Sequence, residues 1–292
     1  MFSCLTKLLL CILFASHAWA DGSGYSRPAL AGSDESKLTI AMLHLNLRYA
    51  DVEYNASLIG KGIELAVENN ADWVMTPELS LTGYRFDVKI GTGWIAKGPD
   101  KHVRRVQALA KKHEVTVFLS HLERIDTGTG DDKLFNTMFV IDKAGTIIGR
   151  HRKINIIPVA ESWSTAGIKP LVVNVDGYDV GLLICADAWP PTHAKSLQSQ
   201  GAELILSSAS WAPGEYGPEN TWEKRSRETG LPVFVNNRTG IERQFDLTDS
   251  VSAVSYQGER LLSHQSPESQ LVIVNWNVQK NVLIDYYSID IK

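Results

Sequence analysis

From Lys37 to its end the chain alternates short apolar, β-branched runs with segments of helical periodicity. This order constrains the fold strongly. Strand runs this apolar cannot leave both faces in water, so helices must cover the sheets. Strands are expected at residues 38–46, 73–76, 115–121, 203–208, Val233–Asn236 and 271–276. Helices are expected at 54–69, 100–113 and 219–229, with Asn55 a possible cap of the first and a further helix starting at Pro190-Pro191. Hairpins are expected across 143–145, 176–177 and 257–259, which makes the sheets mixed rather than parallel. Residues 281–289 read as a final extended tail. The whole stretch 37–292 reads as one α/β domain, with no linker, repeat or low-complexity tract.

The first residues are of another kind. Lys7 precedes an apolar run from Leu8 to Phe14, and Ala18-Trp19-Ala20 is a small-x-small site before Asp21. That order is a secretory signal peptide at residues 1–20, followed by a Gly/Ser/Ala-rich lead-in at 21–36. The apolar run is shorter than the ~20 residues a bilayer span needs. The protein is therefore expected to be exported, periplasmic or secreted, with no stable membrane insertion after cleavage. A net charge of −4 offers no basic surplus for neutralising phosphates, so nucleic acid is not an expected partner.

Export makes the cysteines informative. Cys4 and Cys11 lie in the signal peptide, so the mature chain carries Cys185 alone. An unpaired cysteine in an exported protein is either inert and buried or a reactive thiol. Cys185 follows the apolar run 180–184 and precedes Ala186-Asp187-Ala188-Trp189-Pro190. It thus stands where a central strand gives way to a turn, the end of a sheet at which ligands bind in open α/β folds. The next backbone N–H, that of Ala186, can help hold an oxyanion, and its small side chain leaves room for a substrate.

Two further strand ends carry charge. Glu78 follows the apolar segment 73–76, in Pro77-Glu78-Leu79 with Gly83-Tyr84. Lys153 follows a hairpin, in Arg152-Lys153 with Pro158 and Glu161. Alone, each has an ordinary reading, a surface carboxylate and a solvated basic cluster. Together and in this order, with Asp187 and Pro190 after the cysteine, they resemble the nitrilase, or carbon–nitrogen hydrolase, superfamily. Asn237-Arg238-Thr239-Gly240 and Ser250-Val251-Ser252 with Gly258 resemble its later landmarks. The resemblance covers about residues 37–274.

That resemblance implies a four-layer α-β-β-α sandwich with two mixed sheets, pairing into a homodimer or larger homo-oligomer. It implies Cys185 as nucleophile, Glu78 as general base and acid, Lys153 as the charge facing the oxyanion, and Glu161 holding Lys153 and the substrate amide. The reaction is hydrolysis of a non-peptide carbon–nitrogen bond in a small amide or carbamoyl compound, releasing ammonia or an amine without metal or cofactor. Nitrilases carry Trp directly after the cysteine, and Ala186 departs from that pattern in favour of amides. Nitrile hydrolysis, acyl transfer and a non-catalytic binding module remain alternatives. Ala186, Ser210, Trp211 and Asn237 are the expected substrate-binding residues, with Trp163 and Trp189 as aromatic walls. No zinc spacing, Gly-x-Ser-x-Gly elbow or phosphate loop appears. A papain-like pairing of Cys185 with His121, His151 or His193 stays formally open, and Asn55 and Asn237 each begin a glycosylation pattern.

Overall fold

The computed structural model describes residues 36–128 and 130–292. The expected signal peptide, and the lead-in up to residue 35, lie outside the described residues. The first half of the chain runs β1 (Lys37–His44), α1 (Val52–Glu68), β2 (Trp73–Met75), α2 (Asp87–Ile90), α3 (Lys101–His113), β3 (Thr116–Ile125), β4 (Lys133–Ile141) and β5 (Ile147–Arg152). The second runs β6 (Leu171–Val175), β7 (Tyr178–Ile184), a 3-10 turn at Cys185–Ala188, α4 (Pro191–Ser199), β8 (Leu204–Ser208), α5 (Thr221–Thr229) and β9 (Val233–Asn236). Six further strands complete it: β10 (Ile241–Glu242), β11 (Phe245–Asp246), β12 (Ser252–Tyr256), β13 (Glu259–His264), β14 (Gln270–Asn277) and β15 (Val282–Asp290).

Two mixed sheets result, ordered β15-β14-β1-β2-β3-β4-β5 and β13-β12-β9-β8-β7-β6. In each, three parallel strands lie at the centre: β1, β2 and β3 in one, and β7, β8 and β9 in the other. Antiparallel hairpins flank them, as the turn signals predict. Trp73, Phe118, Met138 and Trp276 of the first sheet pack with Leu182 and Phe234 of the second in the core between the sheets. Ile59 and Ile63 of α1, with Val103 and Val106 of α3, cover the outer face of the seven-stranded sheet. Leu197 of α4 and Trp222 of α5 join the core on the other side. The layers are therefore α-β-β-α, and each large apolar side chain buried in them contributes about 1.5–3 kcal/mol.

Close packing explains one helix glycine. A Cβ on Gly62 would lie 2.8 Å from the Leu43 side chain, so α1 rests on β1 only where no side chain intervenes. The cap of α1 differs from the expectation. The helix starts at Val52, and Asp51 accepts from the Tyr54 N–H at 3.2 Å. Asn55 then falls inside the first turn, where its amide bonds both backbone groups of Arg48 and the Leu81 carbonyl. Helix α2 and the β10–β11 hairpin were not anticipated, because two- and four-residue elements carry no readable period. The extended tail is β15, and its ladder is formed with β14 of its own chain. Among the described residues no helix is long and apolar enough to cross a membrane.

Candidate active site

The carboxyl ends of the central strands of both sheets meet. β2 ends at Met75, and after Pro77 the chain turns back through Leu79, a non-glycine residue at φ 50. Ser120 on β3 fixes that turn by accepting from the Leu79 N–H at 3.2 Å. Across the sandwich, Glu78 N–H donates to the Ala209 carbonyl at 3.2 Å and the Ser208 hydroxyl to the Thr76 carbonyl at 2.8 Å. The Glu78 carboxylate is held by the Ser210 N–H at 3.0 Å and by the Lys153 ammonium at 2.7 Å.

Lys153 leaves the end of β5, its N–H bonded to the Asn136 carbonyl at 2.8 Å. Its Nζ sits 2.7 Å from Glu78 Oε1 and 2.7 Å from Glu161 Oε2, with all three side chains fully buried. Glu161 also accepts from the Tyr84 hydroxyl at 3.1 Å and the Ile157 N–H at 3.0 Å. Asn136 of β4 joins the two carboxylates, donating to Glu78 and to Glu161 at 2.9 Å each. Charges buried this deeply survive only when paired and hydrogen-bonded, and every one of these is.

Cys185 occupies the turn after β7 at φ 51, 4% exposed. Asp187 shapes this turn. Its Oδ2 accepts from the Ile184 N–H at 3.1 Å and faces His151 Nε2 at 2.9 Å, while Oδ1 accepts from the N–H groups of Ile154 and Asn155. Asn155 in turn donates to the Ala186 carbonyl at 2.8 Å. The turn carrying the thiol and the loop after Lys153 are thus locked by one buried carboxylate.

The histidines considered as thiol partners are engaged elsewhere. His121 faces Asp100 at 2.9 Å, His151 faces Asp187, and His193 faces the Asp187 carbonyl at 2.9 Å. Both asparagines of the glycosylation patterns are fully buried, which closes them to modification in the folded chain.

Burial pushes the Cys185 thiol well up, and the carboxylates of Glu78 and Glu161 add to it against the Lys153 charge and the Ser210 N–H. Burial also raises Glu78, opposed by Lys153 and reinforced by Glu161. Burial works to lower Lys153, but the surrounding anionic groups outweigh it and hold the ammonium well above its usual range. Asp187 is depressed, because the His151 and backbone bonds outweigh its desolvation. Two carboxyl groups, one ammonium and one thiol therefore lie in a desolvated cluster where a proton leaving sulfur has a carboxylate ready to accept it.

The thiol opens onto a cavity of about 400 Å³. Ala186, Ser210 and Trp211 line it, and so does Trp189. Asn237 does not. It lies behind the wall, accepting from the Trp211 N–H at 3.1 Å and donating to the Trp211 carbonyl at 2.9 Å. Trp163 packs on Phe86, 5.0 Å between ring centroids, in a separate cluster. Sequence reasoning missed Asn136, whose one signal is an amide inside the apolar run of β4, where Asn is disfavoured. It also missed Phe245, Leu247, Glu215 and Tyr216, which line the cavity from the hairpin segment and a loop. Among the described residues no cluster of His, Cys, Asp and Glu is arranged to hold a metal ion.

Comparison with known proteins agrees with this architecture. The carbon-nitrogen hydrolase family profile matches residues 39–280. A citrullinase from Francisella tularensis is 28% identical over 241 residues, covering 76% of this chain and 81% of that protein. A protein described as "Hydrolase in pqqF 5'region" from Pseudomonas protegens is 27% identical over 237 residues, covering 80% of each. An amidase from Nesterenkonia sp. superposes with a TM-score of 0.70 at 21% identity, over 83% of this chain and 92% of that one. With the profile covering most of the chain and all of Glu78, Lys153, Glu161 and Cys185, the chain belongs to the carbon-nitrogen hydrolase family.

Proposed function

We propose that this protein is an amidase-type thiol hydrolase of a small, non-peptide amide or carbamoyl compound. The observation that carries the reading is the buried array of Glu78, Lys153 and Glu161 coupled to Cys185 at the floor of a largely apolar cavity. In a glutamate-to-glutamine mutant of the amidase from Nesterenkonia sp. AN1, the acetamide moiety of fluoroacetamide is found covalently added at the active-site cysteine. A protein 26% identical over 189 residues is a 2-oxoglutaramate amidase from Bacillus subtilis.

In the proposed reaction Glu78 takes the thiol proton as sulfur attacks the amide carbon, forming a C–S bond and an oxyanion. The Lys153 ammonium and the Ala186 N–H stabilise that oxygen. Collapse breaks the C–N bond, and the proton held by Glu78 leaves with ammonia or the amine. Glu78 then takes a proton from water, whose oxygen attacks the thioester. The C–S bond breaks and the proton returns to sulfur, releasing the acid. Glu161, Tyr84 and Asn136 keep Lys153 and Glu78 in register throughout.

The test is ammonia release from a panel of amides, carbamoyl compounds and nitriles, with Cys185→Ala as control. Release from amides that vanishes in the variant supports the reading. Turnover of nitriles alone, or no covalent labelling of Cys185 by haloacetamides, refutes it. We propose further that the chain is exported and self-associates. The mass of protein extracted from its cells tests removal of residues 1–20, and light scattering tests the assembly.

A further inference from the structure

The cavity changes chemistry between its floor and its rim. Tyr84, Trp211 and Phe245 line the cavity with the buried thiol, and Trp211 stands 5.6 Å from Trp189 in an edge-to-face pair. At the rim Trp189 is 45% exposed and Tyr216 73% exposed. Glu215, beside Tyr216, is exposed, and its carboxylate has no hydrogen bond or ion pair among the described residues. Its loop is not loose against the wall, because the Trp211 Nε1–H donates to the Tyr216 carbonyl at 2.7 Å.

The other lining carboxylate is already committed. Glu242 accepts from the Tyr84 and Arg85 N–H groups and from Arg238. Arg238 is fully buried against it and does not line the cavity, and Arg243, at the hairpin tip, lies outside the lining. A ligand extending from Cys185 toward solvent therefore meets apolar rings first, then a free carboxylate flanked by exposed aromatic side chains. Carboxylates and aromatic faces both attract cations.

We propose that this rim selects amides whose acyl group has an apolar body ending in a cation, an ammonium or guanidinium, and discriminates against amides ending in a carboxylate. The inference rests on reading the cavity as the acyl pocket of Cys185. Because Glu215 is exposed and screened, the expected preference is about three- to tenfold rather than absolute.

Three primary amides of matched chain length, ending in an ammonium, a methyl and a carboxylate, decide it. At low salt kcat/KM is expected to fall in that order. Glu215→Gln should bring the ammonium-to-methyl ratio close to one, and Glu215→Lys should reverse the order of ammonium and carboxylate. Added salt should shrink the spread. In parallel, binding of the same amides to Cys185→Ala, read by tryptophan fluorescence, measures the preference without turnover. Equal values across the series, or a cation preference that survives Glu215→Gln, overturns the proposal. Selective binding with no ammonia release from the wild type overturns the hydrolase reading and leaves the rim's selectivity standing. Neither binding nor turnover overturns both.

Discussion

His151 and Asp187 face each other at 2.9 Å with both side chains wholly buried, one at the end of β5 and the other two residues after the candidate nucleophile. The carboxylate in this pair also receives three backbone N–H groups, so it fixes the position of the thiol turn without touching substrate. Asp187→Asn keeps the shape but loses the charge. It should cost about 1.5–3 kcal/mol of stability at neutral pH, the usual range for hydrogen bonds to a charged group. The sign with pH follows from the depressed carboxyl. Its contribution is complete above the unfolded value of 3.8 and fades as pH falls below it. Urea unfolding from pH 7 down to pH 3 should therefore show a steeper loss in the wild type than in Asp187→Asn.

Lys153→Met tests the opposite slope. Without the ammonium, Glu78 and Glu161 remain as two buried carboxyl groups linked only by Asn136. Glu78, already raised by burial, should rise further above its ordinary 4.5. A carboxyl raised in the folded state contributes stability below its unfolded value and loses it as pH rises through the folded value. The variant should lose hydrolysis altogether, and its thermal midpoint should climb as pH is lowered from about 7 to about 5, in the range where raised carboxyls titrate. A midpoint that falls over that range would contradict the charge assignment.

Asn136 offers a quieter substitution. Asn136→Ala deletes a neutral amide and leaves each of the two carboxylates one donor short. Stability should drop by about 1–3 kcal/mol, as for unsatisfied buried acceptors. Turnover should fall by about ten- to a hundredfold, with kcat carrying the loss rather than KM, because the cavity wall is untouched. Steady-state kinetics on the best amide separates the two.

Gly83 should tolerate no side chain. It sits at φ 78, and a Cβ there would stand 2.5 Å from Glu242 Oε2. Gly83→Ala should combine about 1–2 kcal/mol of left-handed strain with displacement of the carboxylate that holds the Tyr84 and Arg85 N–H groups. Chemical denaturation should show the loss. Proteolysis should find new cleavage sites near residues 83–86 and 241–246.

The legible residues were those whose neighbours carry a period. Glu78 and Cys185 each follow an apolar run that ends in a turn, and Lys153 follows the second strand of a hairpin, so a strand's carboxyl end can be read directly from sequence. Asn237 has the same address, at the end of β9. What the address does not reveal is side-chain direction, and Asn237 points into the wall to clamp Trp211. Asn136 lay in the middle of a strand where its burial and its two acceptors depend on elements 58 and 25 residues away. The β10–β11 hairpin, which brings Phe245 to the cavity, pairs only two residues on each side. Nothing local in its composition announces a strand. Asp51 and Asn55 illustrate the same limit at a helix start, where two good capping residues compete and tertiary bonds of the second decide which caps.

The floor of the cavity hangs on strand ends from two packed sheets, while much of its mouth is drawn from a loop and a two-residue hairpin that hold none of the proton-transferring groups. Insertions, deletions and substitutions in residues 212–217 and 243–246, which leave the buried Glu242 in place, can therefore accumulate with little disturbance of the charges around sulfur. A lineage built this way can exchange one acyl preference for another in a few mutational steps and retain its chemistry at each of them.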